Sequence, residues 1–132
     1  MPLASRFIGG TGRDTLEGGR GQDRLFGGAD SQSDRFVFRS LSDSAIGAGR
    51  DLIYQFRSGI DQIDLRAIDA NTTRTGDQAF VFSAEGPKAF GLWLATTTIG
   101  VLVRVDATGD ARPDSEIWIS GITRAVQGDF LL

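Results

Sequence analysis

Asp14 and Asp23 stand nine residues apart, and each closes the same kind of run: Gly9-Gly10-Thr11-Gly12-Arg13-Asp14 and Gly18-Gly19-Arg20-Gly21-Gln22-Asp23. Two positions after each aspartate comes a large apolar residue, Leu16 and then Leu25, so both copies fit GGxGxDxUx with U apolar. Glycines at the first, second and fourth positions allow positive φ and let carbonyl oxygens turn inward. The short xUx segment is long enough for a strand that buries one side chain. The aspartate adds a negatively charged oxygen to a loop already rich in carbonyls. This is donor chemistry for a hard cation, not for a covalent step.

Weaker copies keep the frame. Upstream, Ser5-Arg6-Phe7-Ile8 matches the DxUx half with serine in the acid slot. Downstream, Gly27-Gly28-Ala29-Asp30 leads through two extra loop residues to Asp34-Arg35-Phe36, with Asp30 where the third glycine would stand. Gly47-Ala48-Gly49-Arg50-Asp51-Leu52-Ile53 and Gly59-Ile60-Asp61-Gln62-Ile63 follow. A flexible linker has no reason to hold an apolar residue in strict phase, so the glycines are read as structural.

The nonapeptide is similar to the repeat of RTX proteins, whose nine-residue units bind calcium in a parallel β-roll. That resemblance implies calcium, two ions or more, held by Gly9, Gly10, Gly12 and Asp14; by Gly18, Gly19, Gly21 and Asp23; and by Gly27, Gly28, Asp34, Gly49, Asp51, Gly59 and Asp61. Calcium takes six to eight oxygens and one loop offers about half, so two loops must share each ion. In a flattened roll two nonapeptides make one coil and alternate loops stack. Asp14 is then expected to face Asp34, with Asp61 continuing that edge, and Asp23 to face Asp51 on the other. The inward ladder is expected to be Phe7, Leu16, Leu25, Phe36, Ile53 and Ile63.

The resemblance widens beyond the repeat. Gly28 to Phe38, Ser42-Asp43-Ser44, Asp51-Leu-Ile-Tyr-Gln-Phe56, Gly59-Ile-Asp-Gln-Ile-Asp-Leu65 and Ala67-Ile-Asp69 resemble the C-terminal domain of serralysin-type secreted metalloproteases, with Gln55 where that pattern carries aspartate. The implied fold is all-β: a calcium-binding roll over residues 5–65 and a capping sheet over 66–132, in one module. From Ala79 onward, Phe80-Val-Phe82, Leu92-Trp-Leu94, Val101 to Val105, Ile117-Trp-Ile119 and Phe130-Leu-Leu132 read as short strands of an antiparallel cap. Between two of them, Asp106 to Glu116 places acids at alternate positions. Thr108 and Ala111 replace residues that a calcium loop of the EF type needs, so a solvated hairpin is expected here ahead of the alternative, a further calcium site.

The resemblance also implies partners. The module would follow an attached catalytic domain, leave the cell through type I secretion machinery, and act extracellularly. Gly128-Asp129-Phe130-Leu131-Leu132 resembles the terminal signal of that route, with Asp129, Phe130, Leu131 and Leu132 as its signature. Similar modules follow mannuronan epimerases and lipases, and outward Arg6 and Arg24 on one sheet, with Arg35 on the other, offer an alternative: binding an anionic polysaccharide such as alginate.

Composition limits the other options. The 132 residues suit one domain, and the charge of −3 gives no bulk attraction for nucleic acid. With no cysteine, stability needs a staple other than disulfides. With no histidine, the commonest general base and zinc ligand are gone, so an accessory module is expected and not an enzyme. Carboxylate pairs such as Asp61 with Asp64, or Asp110 with Glu116, show no spacing that singles out a hydrolytic pair. The opening MPLASRF lacks a signal-peptide core, and no apolar run reaches the length of a membrane span.

Overall fold

The computed structural model describes residues 5–29 and 31–132; Met1 to Ala4 and Asp30 lie outside the described residues. The first half lays down six short strands: β1 (Ser5–Ile8), β2 (Thr15–Leu16), β3 (Asp23–Phe26), β4 (Arg35–Val37), β5 (Asp51–Tyr54) and β6 (Gln62–Asp64). They alternate between two sheets. β1, β3 and β5 pair in parallel in one, and β2, β4 and β6 in the other.

The register follows the repeat. Phe7 pairs with Leu25 and Leu25 with Ile53, while Leu16 pairs with Phe36 and Phe36 with Ile63. Successive side chains point to opposite faces of a strand, so each apolar residue two positions after its acid turns into the space between the sheets. Leu25, Phe36, Ile53 and Ile63 expose nothing, which is worth about 2 kcal/mol each relative to exposure. Phe7 is only half-buried because β1 and β2 are the edge strands where the roll begins.

The second half adds β7 (Val81–Ser83), β8 (Gly91–Thr96), β9 (Gly100–Val105), β10 (Ser115–Ser120) and β11 (Phe130–Leu131). β8, β9 and β10 form an antiparallel meander, as the alternating valines of β9 require. This cap continues the roll's first sheet: β10 lies parallel to β5, with Ile117 opposite Asp51 and Ile119 opposite Ile53. β11 departs from the expected cap position. It pairs in parallel with β6, Phe130 opposite Ile63, and so forms the last rung of the second sheet. Both sheets thus close the roll with strands from beyond residue 66, and one apolar cluster runs from Leu16 to Phe130.

The junction is polar as well as apolar. Ser44 Oγ donates to the Glu116 carbonyl oxygen, and Ser115 Oγ donates to the Ser44 carbonyl at 2.5 Å. The buried Glu116 carboxylate accepts from Gly47 N at 3.0 Å, Arg50 Nη2 at 3.1 Å and Arg104 Nε at 2.9 Å. Burial works to raise its pKa, but the Gly47 amide and the two guanidinium groups outweigh it and hold the carboxyl below its ordinary value of 4.5. A depressed folded pKa stabilises above the unfolded value, and that gain is lost as pH falls through the folded one. Glu116→Gln is therefore expected to cost about 2 kcal/mol in urea unfolding at pH 7. The gap to the parent should close below pH 4; a constant gap would mean packing and not charge.

Candidate metal centre

The loops that leave the first sheet stack along one edge of the roll, and those that leave the second stack along the other. On the first edge Gly9 N donates to Phe26 O at 2.8 Å and Gly27 N to Tyr54 O at 3.3 Å, placing the loop starts at Gly9, Gly27 and Gln55 in line. Asp14 N donates to Asp34 Oδ1 and Asp34 N to Asp61 Oδ1, both at 2.9 Å. On the second edge Ser5 N donates to Asp23 Oδ1 at 3.2 Å and Asp23 N to Asp51 Oδ1 at 2.9 Å, and the column ends where Asp51 N donates to Ser44 Oγ at 2.8 Å. The expected neighbours Asp14, Asp34 and Asp61, and Asp23 and Asp51, are brought together.

Each repeat folds its acid back on its own first glycine. A Cβ on Gly9 would lie 2.6 Å from Asp14 Oδ2, one on Gly27 would lie 2.8 Å from Asp34 Oδ2, and one on Gly18 would collide with Asp23 Oδ2. Those glycines do not have positive φ, whereas Gly10, Gly12, Gly19, Gly21 and Gly28 do. The first glycine is thus required for room, which corrects the expectation that all three serve backbone conformation. Gly49 sits in a 3-10 turn without positive φ, and Gly59 has φ +85 with its amide donating to Asp129 Oδ1 at 2.8 Å.

The second oxygens of these carboxylates decide what the loops can hold. Asp14 Oδ2, Asp23 Oδ2 and Asp51 Oδ2 are buried and have no hydrogen-bond partner among the described residues. A buried ionised carboxylate with an idle oxygen is costly unless a cation satisfies it. Burial pushes Asp51 up to about 8, partly offset by the Asp23 amide and reinforced by the charges of Asp23 and Asp43; Asp23 is raised by burial and by Asp43. Two other buried acids are compensated by arginines. Asp64 is held low first by the Arg66 side chain, with Arg35 at 3.7 Å, and Glu116 has its two arginines, so neither is free for hydrolytic chemistry. Calcium suits the idle set: carboxylate and carbonyl oxygens in loops, with no nitrogen or sulfur donor among the stacked acids.

The hairpin acids differ. Oxygens of Asp106, Asp110 and Asp114 lie within 4.8 Å of one another, close enough for a cation. Asp106, however, is fully buried where a solvated turn was expected, and it accepts from the amides of Thr108, Gly109, Ala111 and Phe90. Although burial opposes them, those amides hold its carboxyl well below the ordinary range. It works as the turn's internal cap.

Two residues without an assigned role in the repeat complete the edges. Gln55, in the left-handed region at φ 62, accepts from Gly28 N at 3.0 Å and so ties the third loop to the second. Asp43 is buried in a 3-10 turn and accepts from Arg39 N at 3.0 Å and Ser40 Oγ at 3.2 Å. Asp43 follows Asp34 by nine residues but without the glycine run, and Gln55 takes the place of a loop's first glycine, so the residue types of the repeat point to neither.

Arg6 and Arg24 are register partners on the outer face of the first sheet, and Arg35 lies on the second, as expected. The terminal residues are built into the fold. Asp129 is fully buried, accepting from Ser58 Oγ at 2.6 Å and Val126 N at 2.9 Å; Phe130 is buried; Leu131 O accepts from Leu65 N at 2.9 Å; and Leu132 is half-buried against the core. Among the described residues no helix is long and apolar enough to cross a membrane.

The chain resembles solved modules of a bacterial enzyme. The AlgE6R3 subunit of the Azotobacter vinelandii mannuronan C5-epimerase superposes with a TM-score of 0.65 at 21% identity, covering 99% of this chain and 75% of that one. The AlgE6R2 subunit of the same enzyme gives 0.63 at 25% identity, covering 96% and 75%. No curated protein matches the chain. The peptidase M10 serralysin C-terminal family matches over residues 6–132, in agreement with the roll and cap described above, and the chain belongs to that family.

Proposed function

We propose that this chain is a non-catalytic calcium-binding module that folds on the cation outside the cell and supports the secretion, folding and stability of an attached enzyme, with roll and cap acting as one unit. The observation that carries the reading is the set of idle, buried oxygens on Asp14, Asp23 and Asp51 inside glycine loops. Calcium would be held by Asp14, Asp34 and Asp61 along one edge and by Asp23 and Asp51 along the other, with carbonyls of the loops between. Without it, acids stacked at about 5 Å repel, and the glycines have the most backbone entropy to lose. Affinities of 10⁻⁴ to 10⁻³ M, usual for extracellular calcium modules, leave the chain loose inside the cell and folded outside. The terminal Asp129 to Leu132 would serve type I export before that folding closes them into the second sheet.

The test is a calcium titration of the chelator-stripped protein by circular dichroism and calorimetry, with magnesium as control. The expected result is a calcium-specific gain of β signal, weakened in Asp14→Ala and Asp23→Ala. An unchanged spectrum in all three proteins would sink the reading.

A second reading rests on the outer face of the first sheet. Arg6 pairs in register with Arg24, and its guanidinium sits 5.0 Å over the Phe26 ring. Phe26 stacks on Tyr54 at 4.7 Å with planes 11° apart. Phe26 is thus held between Arg6 and Tyr54, and the neighbouring guanidinium groups of Arg6 and Arg24 suit a chain of carboxylated sugars. Arg6→Ala/Arg24→Ala is expected to lose at least tenfold in retention on immobilised alginate; equal retention removes this reading.

A further inference from the structure

The repeat decides which side chains face outward from the second sheet. Leu16, Phe36 and Ile63 turn into the core, so the residues just before them, Thr15, Arg35 and Gln62, stand in register on the outer face. Arg13 and Ser33 occupy the slot before the acid in their own loops, and Arg66 follows β6. These six residues line one groove of about 360 Å³. That lies near the lower end of small-ligand sites, about 300–1,000 Å³.

The charges of this groove are unequally engaged. Arg66 holds Asp64 through two bonds, Nε to Oδ1 at 3.0 Å and Nη2 to Oδ2 at 2.8 Å, which leaves Arg35 a single long contact with that carboxylate at 3.7 Å. The Arg35 side chain is 47% exposed. Arg13 is exposed too, and it forms no hydrogen bond or ion pair among the described residues. Asp14 is the one acid in the lining, and its Oδ2 is buried against Gly9. Two guanidinium groups thus keep idle donors, in a chain whose net charge is −3. Arg66 screens them from the acid that would otherwise claim Arg35.

We propose that this groove binds a carboxylated sugar, with Arg13 and Arg35 on its carboxylate and Thr15, Ser33 and Gln62 toward its hydroxyls. A guanidinium fork matches a carboxylate, and hydroxyl and amide side chains can both donate to and accept from sugar hydroxyls. Leu131 is the one large apolar side chain in the lining, so an apolar ligand would find little to cover it. The ligand class is that of the second reading above. The site is separate: it lies on the other sheet and stands on Arg13, Gln62 and Arg66, which that reading does not use.

The test is calorimetric titration of the full chain, in calcium, with a short oligouronate; a neutral oligosaccharide of the same length and inorganic phosphate serve as comparison ligands. Arg13→Gln/Arg35→Gln is expected to lose about tenfold or more in oligouronate affinity, with the parent's melting temperature kept. Arg112→Gln/Arg124→Gln removes the same charge from exposed arginines outside the groove, and is expected to bind as the parent does. Gln62→Ala should weaken the oligouronate and leave any phosphate binding unchanged. Equal losses in the two double variants would reduce the effect to overall charge and overturn the inference. Neutral sugar or phosphate binding as tightly as the oligouronate would overturn it as well. Binding that survives Arg13→Gln/Arg35→Gln but is lost in Arg6→Ala/Arg24→Ala would place the ligand on the first sheet, and only the second reading would stand. A parent that binds no oligouronate sinks both.

Discussion

Asp51→Asn stabilises the calcium-free protein by about 2 kcal/mol and destabilises the calcium-loaded one by a similar amount, so that the two unfolding curves exchange order when chelator replaces calcium. The opposite signs come from one carboxylate. Oδ1 accepts the Asp23 amide at 2.9 Å, a bond that asparagine can keep, whereas Oδ2 is buried with no partner among the described residues. Without a cation the substitution removes a buried charge and its repulsion with Asp23 and Asp43. With calcium it removes a charged ligand. The gain in chelator also depends on pH. Burial raises Asp51 to about 8 in the folded chain, above the ordinary 3.8, so the folded state holds a proton there that the unfolded state has lost. Stability from this group is complete below pH 4 and is lost as pH rises through 8. The advantage of asparagine in chelator is therefore expected to be full at pH 9 and nearly absent at pH 4. Urea unfolding at the two pH values, with and without calcium, measures all four quantities. Destabilisation in every condition would mean that Asp51 acts through packing alone.

The parts of this structure that obey a period were legible in the sequence. The phase of Leu16, Leu25, Phe36, Ile53 and Ile63 placed successive strands on alternate sheets, and the same phase set the two acid columns. What escaped does not follow the residue types of the repeat. Phe130 lies in an apolar run with no repeat signal, and its place beside Ile63 is set by the chain's return after β10. Asp43 lies in an irregular segment without the glycine run, so only the fold brings it to the edge. Asp106 looked solvated because alternating acids usually are, but a turn whose amides converge inward can bury one. The first glycine of each repeat was assigned to the right positions for the wrong reason: at Gly18 a side chain would meet the carboxylate of Asp23, and φ is ordinary.

Gly28→Ala is expected to be the most damaging single methyl group in the roll, at about 3 kcal/mol or more, while Gly10→Ala costs about 1 kcal/mol. Both residues have positive φ, +102 and +84, so both variants bear the conformational penalty that side chains meet there. They differ in surroundings. A Cβ on Gly10 meets nothing within 4 Å, whereas one on Gly28 would run into the carbonyl oxygen of Gly10 in the loop above. That oxygen belongs to backbone and cannot rotate away, so relief requires the two loops to separate. Separation would strain the bond from Gly28 N to Gln55 and the one from Asp14 N to Asp34, and with them the spacing of the first-edge acids. Gly28→Ala should therefore lose calcium affinity along with stability, and Gly10→Ala should lose a little stability only. Urea unfolding and calcium titration of the two variants separate a contact between stacked loops from a preference of the backbone. Equal costs would mean that the loops do not approach each other in solution as they do here, and a first-edge site shared between them would fall with that contact.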